Sequence, residues 1–395
     1  MTDRSHRAKS LYHHTSTYLG NVRGKLVIEH IEKGDLSKMQ HRRATAVANP
    51  NIALIKYWGN RDQALRLPSN PSLSMNMAGL TTTTTVEFDP ALKQDVLILG
   101  GREIGGKGLE RVSRFLDQVR QLCGDTSLRG ALSATKQSST RSEDGFANDA
   151  RQDSAHLFAY VESRNNFPSG AGLASSASGF AALAVAASAA AGLSLSEAEL
   201  SRLARLGSGS ACRSMPGGFV EWLLGEDDRS SYAYSIAPAD HWDLRDVVAL
   251  IDVEHKAVGS TEGHAVAETS PLQATRVATA PDRLAQARSA VLARDFGSLA
   301  DVVELDSLMM HAVMITSSPV LMYWQPATIA VMQAVRQWRA NGLAACTTID
   351  AGPNVHVICT AEAADEVALR LRVIPGVRQV IAARVGGPAH LLTNP

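Results

Sequence analysis

The sequence predicts an α+β protein made of two successive mixed units, and three observations predict it. Thr81 to Phe88 reads TTTTTVEF, a β-branched run suited to a strand. Gly108 to Cys123 then sets Leu109, Val112, Phe115, Leu116 and Val119 at helical spacing. Beyond Glu226 to Ser231, where the composition breaks, strand-like and helical stretches alternate again without repeating the first half. With 395 residues, 45% of them hydrophobic and 20% charged, the chain is long enough for two cores.

In chain order, residues 1–42 are a polar, basic-leaning extension. Arg43 to Ala48 is the first expected strand, followed by Thr81 to Phe88 and Val96 to Leu99. Gly124 to Ser154 is rich in Ser, Thr, Asp, Arg and Gly, with few large apolar residues, and is expected to be a surface insertion or lid. His156 to Val161 resumes an extended pattern. Phe180 to Leu193 is mostly alanine, too short for a bilayer and suited to a tightly packed internal helix. Ser196 to Leu206 is amphipathic, with Ser196 placed to cap it. Strands are expected at Asp246 to Val253 and Leu343 to Ile349, with helices at Pro281 to Asp295, Ser298 to Val313 and Ala327 to Arg339 between them. Val355 to Cys359, Ala361 to Leu371 and Arg378 to Ala383 continue the mixture. The expected domains are 43–228, carrying the insertion at 124–154, and 229–395.

Composition narrows the function. The 39 basic and 39 acidic residues balance, which argues against a general nucleic-acid binder. The four cysteines, Cys123, Cys212, Cys346 and Cys359, are widely spaced and form neither a disulfide framework nor a zinc motif. The first residues hold no apolar stretch of signal length, so a cytoplasmic protein without a membrane segment is expected.

Four clusters can carry chemistry. Pro168 to Ser178, PSGAGLASSAS, runs into the alanine-rich helix and reads as a phosphate loop: glycines allow close approach, serines donate, and a helix N-terminus attracts an anion. It lacks the lysine of the common P-loop, so a different phosphate-binding fold is required. Ala48 to Asp62, ANPNIALIKYWGNRD, interrupts an apolar strand with Lys56, Tyr57 and Trp58; a buried Lys56 requires a carboxylate or a substrate anion. Gly207 to Gly218, GSGSACRSMPGG, presents Arg213 from small residues, a setting for gripping a carboxylate or phosphate. Thr347 to Asn354, TTIDAGPN, ends a strand on Asp350, which taken alone is better explained as a turn-forming aspartate than as a base. The polar loop Lys256 to His264 is a weaker candidate, in which Glu262 and His264 read as structural.

Together these motifs, with NPSLS at Asn70 to Ser74, TTTTT at Thr81 to Thr85 and ETSP at Glu268 to Pro271, resemble the GHMP kinase superfamily, and more closely its mevalonate diphosphate decarboxylase branch. The resemblance implies the two-domain GHMP kinase fold with a substrate and ATP cleft between domains, a homodimer, and ATP-dependent decarboxylation of a phosphorylated mevalonate with Mg2+. It implies that Asp350 orients or deprotonates the tertiary hydroxyl, that Lys56 neutralises charge beside it, and that Arg213 and Asn51 hold the substrate carboxylate. Tyr57, Ser208, Ser210 and Asn60 are implied to line the substrate pocket, and Gly170, Gly172, Ser175, Ser176 and Ser178 the ATP site. No carboxylate cluster identifies ligands for Mg2+. Two positions depart from the family pattern: Asn60 stands where diphosphate enzymes carry a lysine, and Pro216 replaces an aromatic residue. Both suggest a substrate with one phosphate, mevalonate 5-phosphate. The alternatives are the diphosphate, with Arg61 or an insertion residue replacing the lysine, and a kinase that phosphorylates the tertiary hydroxyl and stops.

Overall fold

The computed structural model describes residues 42–134, 157–168, 173–252 and 260–393. The first half supplies β1 (Arg42–Ala48), β2 (Asn51–Ile55), β3 (Asn60–Asp62), β4 (Leu67–Pro68), β5 (Ser72–Ala78), β6 (Thr82–Asp89), β7 (Val96–Leu99), β8 (Arg102–Glu103), α1 (Gly106–Ala134), β9 (Phe158–Asn165), α2 (Ser175–Ala190), α3 (Glu197–Gly207), β10 (Phe219–Trp222) and β11 (Ala233–Ala237). The second half supplies β12 (Leu244–Leu250), α4 (Ser260–Val266), α5 (Gln273–Ala278), α6 (Ala280–Ala293), α7 (Phe296–Ile315), α8 (Pro326–Ala340), β13 (Ala345–Thr348), β14 (Val355–Thr360), α9 (Ala364–Arg372), β15 (Gln379–Val385) and β16 (His390–Leu391).

A six-stranded sheet, ordered β16-β1-β6-β9-β7-β8, is packed by α1 and α2, with α3 lying on those helices. The threonine run alternates between buried and half-buried positions along β6, as its β-branched pattern requires. Val86 and Phe88 join Phe115, Leu116 and Val119 of α1 and the alanines of α2 in one core. Methyl side chains let α2 lie close on β1 and β6, and the helix is buried nearly all round. Ser196 caps α3 in a reciprocal box with Glu199, as the sequence predicts.

The second sheet follows the order β11-β10-β5-β15-β12-β14-β13, with β2 added against β5. It draws on both halves of the chain, because Met77 and Ala78 of β5 pair with Val385 and Arg384 of β15. One face packs on α6 and α7 and the other on α8 and α9, each with its own core. Two differences from the sequence reading stand out. The helix α1 continues through Ala134, into the segment expected to be a loop from Gly124, and residues 135–154 of that expected insertion lie outside the described residues. The strands β3, β4, β5, β8, β10, β11 and β16 were not expected, because each is held by its neighbours rather than by its own composition.

This sheet positions the chemistry. Lys56 directly follows β2, the hairpin of β13 and β14 carries Asp350 at its turn, and β5 and β10 flank the loop that bears Arg213.

Candidate active site

Lys56 Nζ donates to Asp350 Oδ1 at 2.6 Å across 294 positions of sequence. The lysine is 1% exposed and the aspartate side chain 32%, so the pair sits at the floor of an opening rather than sealed in the core. Burial lowers the Lys56 pKa from its ordinary value by more than the attraction of Asp350 raises it. Burial alone would push the Asp350 carboxyl up, but Lys56, His356 and Arg213 together hold it below its usual range.

A single stretch of α7 holds both partners by their backbones. Asp306 Oδ2 accepts the Lys56 N–H at 2.6 Å, while Ser307 Oγ accepts the Ile349 N–H at 3.0 Å and His311 Nε2 lies 3.2 Å from the Ile349 carbonyl. Burial brings the His311 pKa down to about 4, so this contact is made by a neutral imidazole. The other edge of the Lys56 peptide is held as firmly: its carbonyl accepts from Arg276 Nη2 at 2.8 Å and Asn70 Nδ2 at 2.9 Å. Arg283 closes the network, with Nε 2.7 Å from Asp306 Oδ1 and Nη2 2.9 Å from the Arg276 carbonyl. None of these five positioning residues, Arg276, Arg283, Asp306, Ser307 and His311, was singled out from sequence. The available signal was the placing of Asp306, Ser307 and His311 among the apolar residues of the second half of α7.

The second anion loop folds as a short 3₁₀ turn, Gly209–Ser214, which turns Arg213 inward. The guanidinium is 3% exposed and reaches Ser72 Oγ at 2.7 Å and Asn51 Oδ1 at 3.3 Å. Asn51 is itself fixed by donating to the Ser210 carbonyl at 3.1 Å and to Ser214 Oγ at 2.7 Å. Among the described residues, no carboxylate forms an ion pair with Arg213. A buried guanidinium with only neutral contacts is poised for an anion, since pairing is what makes burial of a charge tolerable.

Tyr57 packs against Trp222 and stacks on His264, with centroid separations of 4.7 and 4.1 Å. Burial raises the phenol pKa, so Tyr57 donates as a neutral group, and its acceptor is Asn60 Oδ1. Asn60 Nδ2 donates in turn to Gln63 Oε1 at 2.9 Å. Gly209 is required here: a Cβ would stand 2.5 Å from the Tyr57 hydroxyl oxygen. His264 has a structural task, accepting the Gly59 N–H on Nδ1 at 3.0 Å, and burial takes its pKa down to about 3.

Of the expected phosphate-loop residues, Gly170 and Gly172 lie outside the described residues. Ser175 and Ser176 open α2, whose N-cap, Ala174, is left-handed and supplies no side-chain cap. Ser176 Oγ lies 3.3 Å from Ser208 Oγ, so the two anion loops meet at their serines. Ser178 faces the other way: it is buried, with its hydroxyl 2.6 Å from Thr82 Oγ1 on β6. The two departures from the family pattern fall in separate hydrogen-bonded groups, because the Pro216 carbonyl accepts from Asn76 Nδ2 at 2.6 Å while Asn60 belongs with Tyr57. Arg61 is drawn to the Leu224 and Gly225 carbonyls at 3.1 and 2.7 Å. Among the described residues, no three His, Cys, Asp or Glu side chains gather as a metal site, and no helix is long and apolar enough to cross a membrane.

An α+β scaffold thus carries a helix start without a side-chain cap and, on other elements, a buried lysine-aspartate pair, an arrangement suited to an enzyme that handles phosphates. The model of the diphosphomevalonate decarboxylase-like N-terminal domain matches residues 48–233, and that of the mevalonate 5-diphosphate decarboxylase C-terminal domain matches 247–387. The chain belongs to the diphosphomevalonate decarboxylase family. It is 39% identical over 346 residues to diphosphomevalonate decarboxylase mvd1 of Aspergillus fumigatus, covering 85% of this chain and 81% of the relative. It is 35% identical over 352 residues to the phosphomevalonate decarboxylase of Haloferax volcanii, covering 89% and 98%. Among solved structures, MDDEF in complex with MVAPP, AMPPCP and magnesium superposes with a TM-score of 0.78 at 36% identity, covering 90% of this chain and 100% of that one.

Proposed function

We propose that the enzyme decarboxylates mevalonate 5-phosphate to isopentenyl phosphate at the expense of ATP. The observation that carries the choice of substrate is Asn60, a neutral side chain committed to Tyr57 and Gln63 at the position where the family's diphosphate enzymes place a lysine. Loss of one charge-assisted contact costs about 1.5 to 3 kcal/mol, a preference of roughly tenfold or more. The relative from Haloferax volcanii, matched over 98% of its length, is named a phosphomevalonate decarboxylase, so the monophosphate lies within the range of substrates named among the chain's relatives.

Each side chain then has a task. The start of α2, with Ser175 and Ser176, receives the ATP phosphates on uncapped N–H groups. Among the described residues no carboxylate cage is available, so Mg2+ would be carried by those phosphates, with the Ser175 and Ser176 hydroxyls available to hold it. When bound, the ion neutralises phosphate charge. Asp350, ionised and fixed by Lys56, accepts the hydrogen bond of the tertiary hydroxyl and orients its oxygen toward the γ-phosphorus. A carboxyl held below its usual range is a weak base, and a loose phosphoryl transfer asks for orientation more than for proton abstraction. The oxygen bonds to phosphorus as ADP departs, and its proton, made acidic as that bond forms, passes late in the step to the Asp350 carboxylate that accepts its hydrogen bond. The C–O bond then breaks, phosphate leaving with the electron pair. The bond to the carboxylate breaks in turn, its electrons form the alkene, and CO2 leaves. Arg213 and Asn51 hold that carboxylate antiperiplanar to the departing phosphate.

Incubation with ATP and Mg2+ plus mevalonate, its 5-phosphate or its 5-diphosphate, with CO2 and ADP measured for each, tests the reading. Equal CO2 and ADP are expected from the 5-phosphate, at least about tenfold faster in kcat/KM than from the diphosphate. A faster diphosphate reaction defeats the substrate choice, and ADP without CO2 indicates a kinase.

The pH profile of kcat carries a second expectation. Asp350 is held below its usual range, so it contributes no acid limb above about pH 4. Lys56 loses its proton below the ordinary lysine value of 10.5, so the alkaline limb should begin earlier than an ordinary lysine would allow. Lys56→Arg should abolish that limb; a limb that persists in this variant assigns it to another group.

A further inference from the structure

The charge missing at Asn60 is available a few residues along the same turn of chain. Arg66 lies between β3 and β4 with φ 50°, a left-handed conformation that is costly for a residue with a side chain and is kept where the surroundings demand it. Its Nε donates to the Leu206 carbonyl at 3.1 Å. From α1, Arg111 donates Nε and Nη2 to the next carbonyl, Gly207, at 3.1 and 2.8 Å, with its guanidinium 4.7 Å from the centre of the Phe180 ring. Arg114 stands one turn further along α1.

These guanidiniums crowd one another. Burial lowers the Arg111 pKa to about 10, helped by Arg66 and Arg114, and burial followed by Arg114 lowers that of Arg66, which Tyr57 partly offsets. Among the described residues, none of the three has a carboxylate in ion-pair range. Capping the C-terminal end of α3 engages Arg66 at the Leu206 carbonyl and Arg111 at the Gly207 carbonyl, and Arg114 reaches the Glu110 carbonyl at 3.4 Å. It leaves the Nη groups of Arg66 without a partner among the described residues. The same loop continues into Ser208, beside Ser176, and Gly209, against Tyr57. The cations therefore border the hydroxyls already placed in the substrate pocket.

We propose that Arg66, with Arg111 beside it, binds the 5-phosphate of the substrate and supplies the positive charge that Asn60 lacks. The inference rests on the reading that the substrate is a phosphorylated mevalonate. A phosphate monoester near pH 7 carries close to two negative charges and three acceptor oxygens, which suits two guanidinium edges and the neighbouring serine and tyrosine hydroxyls. The strained turn at Arg66 places a cation in this chain where the family pattern uses the residue at position 60.

Steady-state kinetics of Arg66→Gln, measured on whichever phosphorylated mevalonate the parent enzyme turns over, test this. KM for that substrate should rise about tenfold or more, with KM for ATP within about twofold and Tm unchanged. Arg66→Lys should recover part of the loss. Asn60→Lys in the Arg66→Gln background should recover more, because it returns a cation to the same phosphate. An unchanged substrate KM overturns the proposal. So does an equal rise in both KM values with a lower Tm, the mark of a structural cap, when Arg66→Lys repeats it. Parent activity on the diphosphate alone would defeat the choice of substrate and leave the Arg66 comparison intact, since that ligand carries the same 5-phosphate oxygens.

Discussion

Asp350→Asn is expected to lower turnover by about a thousandfold, while KM for ATP stays within about twofold. The substitution keeps the shape of the side chain and an oxygen able to accept from Lys56 Nζ, so the hairpin turn and the clamp on Ile349 should persist. What disappears is the negative charge. Lys56 is 1% exposed and Asp350 is its only ion-pair partner among the described residues, so without that partner the lysine is driven toward its neutral form. Two proposed functions are lost together: the fixed acceptor for the tertiary hydroxyl, and the cation that stabilises charge on the transferring phosphoryl group. The proposed ATP contacts begin at α2, on a separate element, and should be spared. Single-turnover CO2 release together with equilibrium binding of an ATP analogue decides the matter. Activity above about a tenth of the parent value would remove Asp350 from the reacting centre.

The parts of this site that were legible in sequence share one property: they use residue types that are costly in their surroundings. Lys56 in an apolar strand, Arg213 among glycines and serines, and a glycine-serine run before an alanine helix all conflict with local packing rules unless a ligand or partner answers them. Lys56 and Asp350, 294 positions apart, could be paired beforehand only through the resemblance, because no periodicity spans β2 and the β13–β14 hairpin. The supports were harder to see for a physical reason. Asp306, Ser307 and His311 act on backbone groups, and a backbone partner leaves no trace in the sequence of the strand it holds. The register of β5 against β15, which closes the sheet between the two halves, is equally a product of three-dimensional packing. Ser178 shows what residue type alone leaves open. It belongs to the serine-rich run, yet its position on the helix turns its hydroxyl to Thr82.

Arg213→Met is expected to cost about 2 to 5 kcal/mol in kcat/KM, a loss of roughly thirty-fold to several thousandfold, without a fall in Tm. The two halves of this expectation come from the same geometry. Arg213 is buried against Ser72 and Asn51, both neutral, and lacks a carboxylate partner among the described residues. Removing it therefore strands no opposite charge, and a side chain of similar length in the same space relieves the desolvation of a guanidinium, a change that is neutral or stabilising in buried sites. The substrate carboxylate, by contrast, loses the cation proposed to hold it in line with the departing phosphate. The phosphoryl transfer is proposed to depend on Asp350 and Lys56, which the substitution leaves in place. The elimination should therefore slow more than the transfer, and ADP should be released in excess of CO2 early in the reaction. Arg213→Lys keeps the charge but not the planar fork, so it should fall between the two. An Arg213→Met enzyme that loses rate with ADP and CO2 still equal places the arginine in binding common to both steps, and one that loses Tm instead makes it a structural residue.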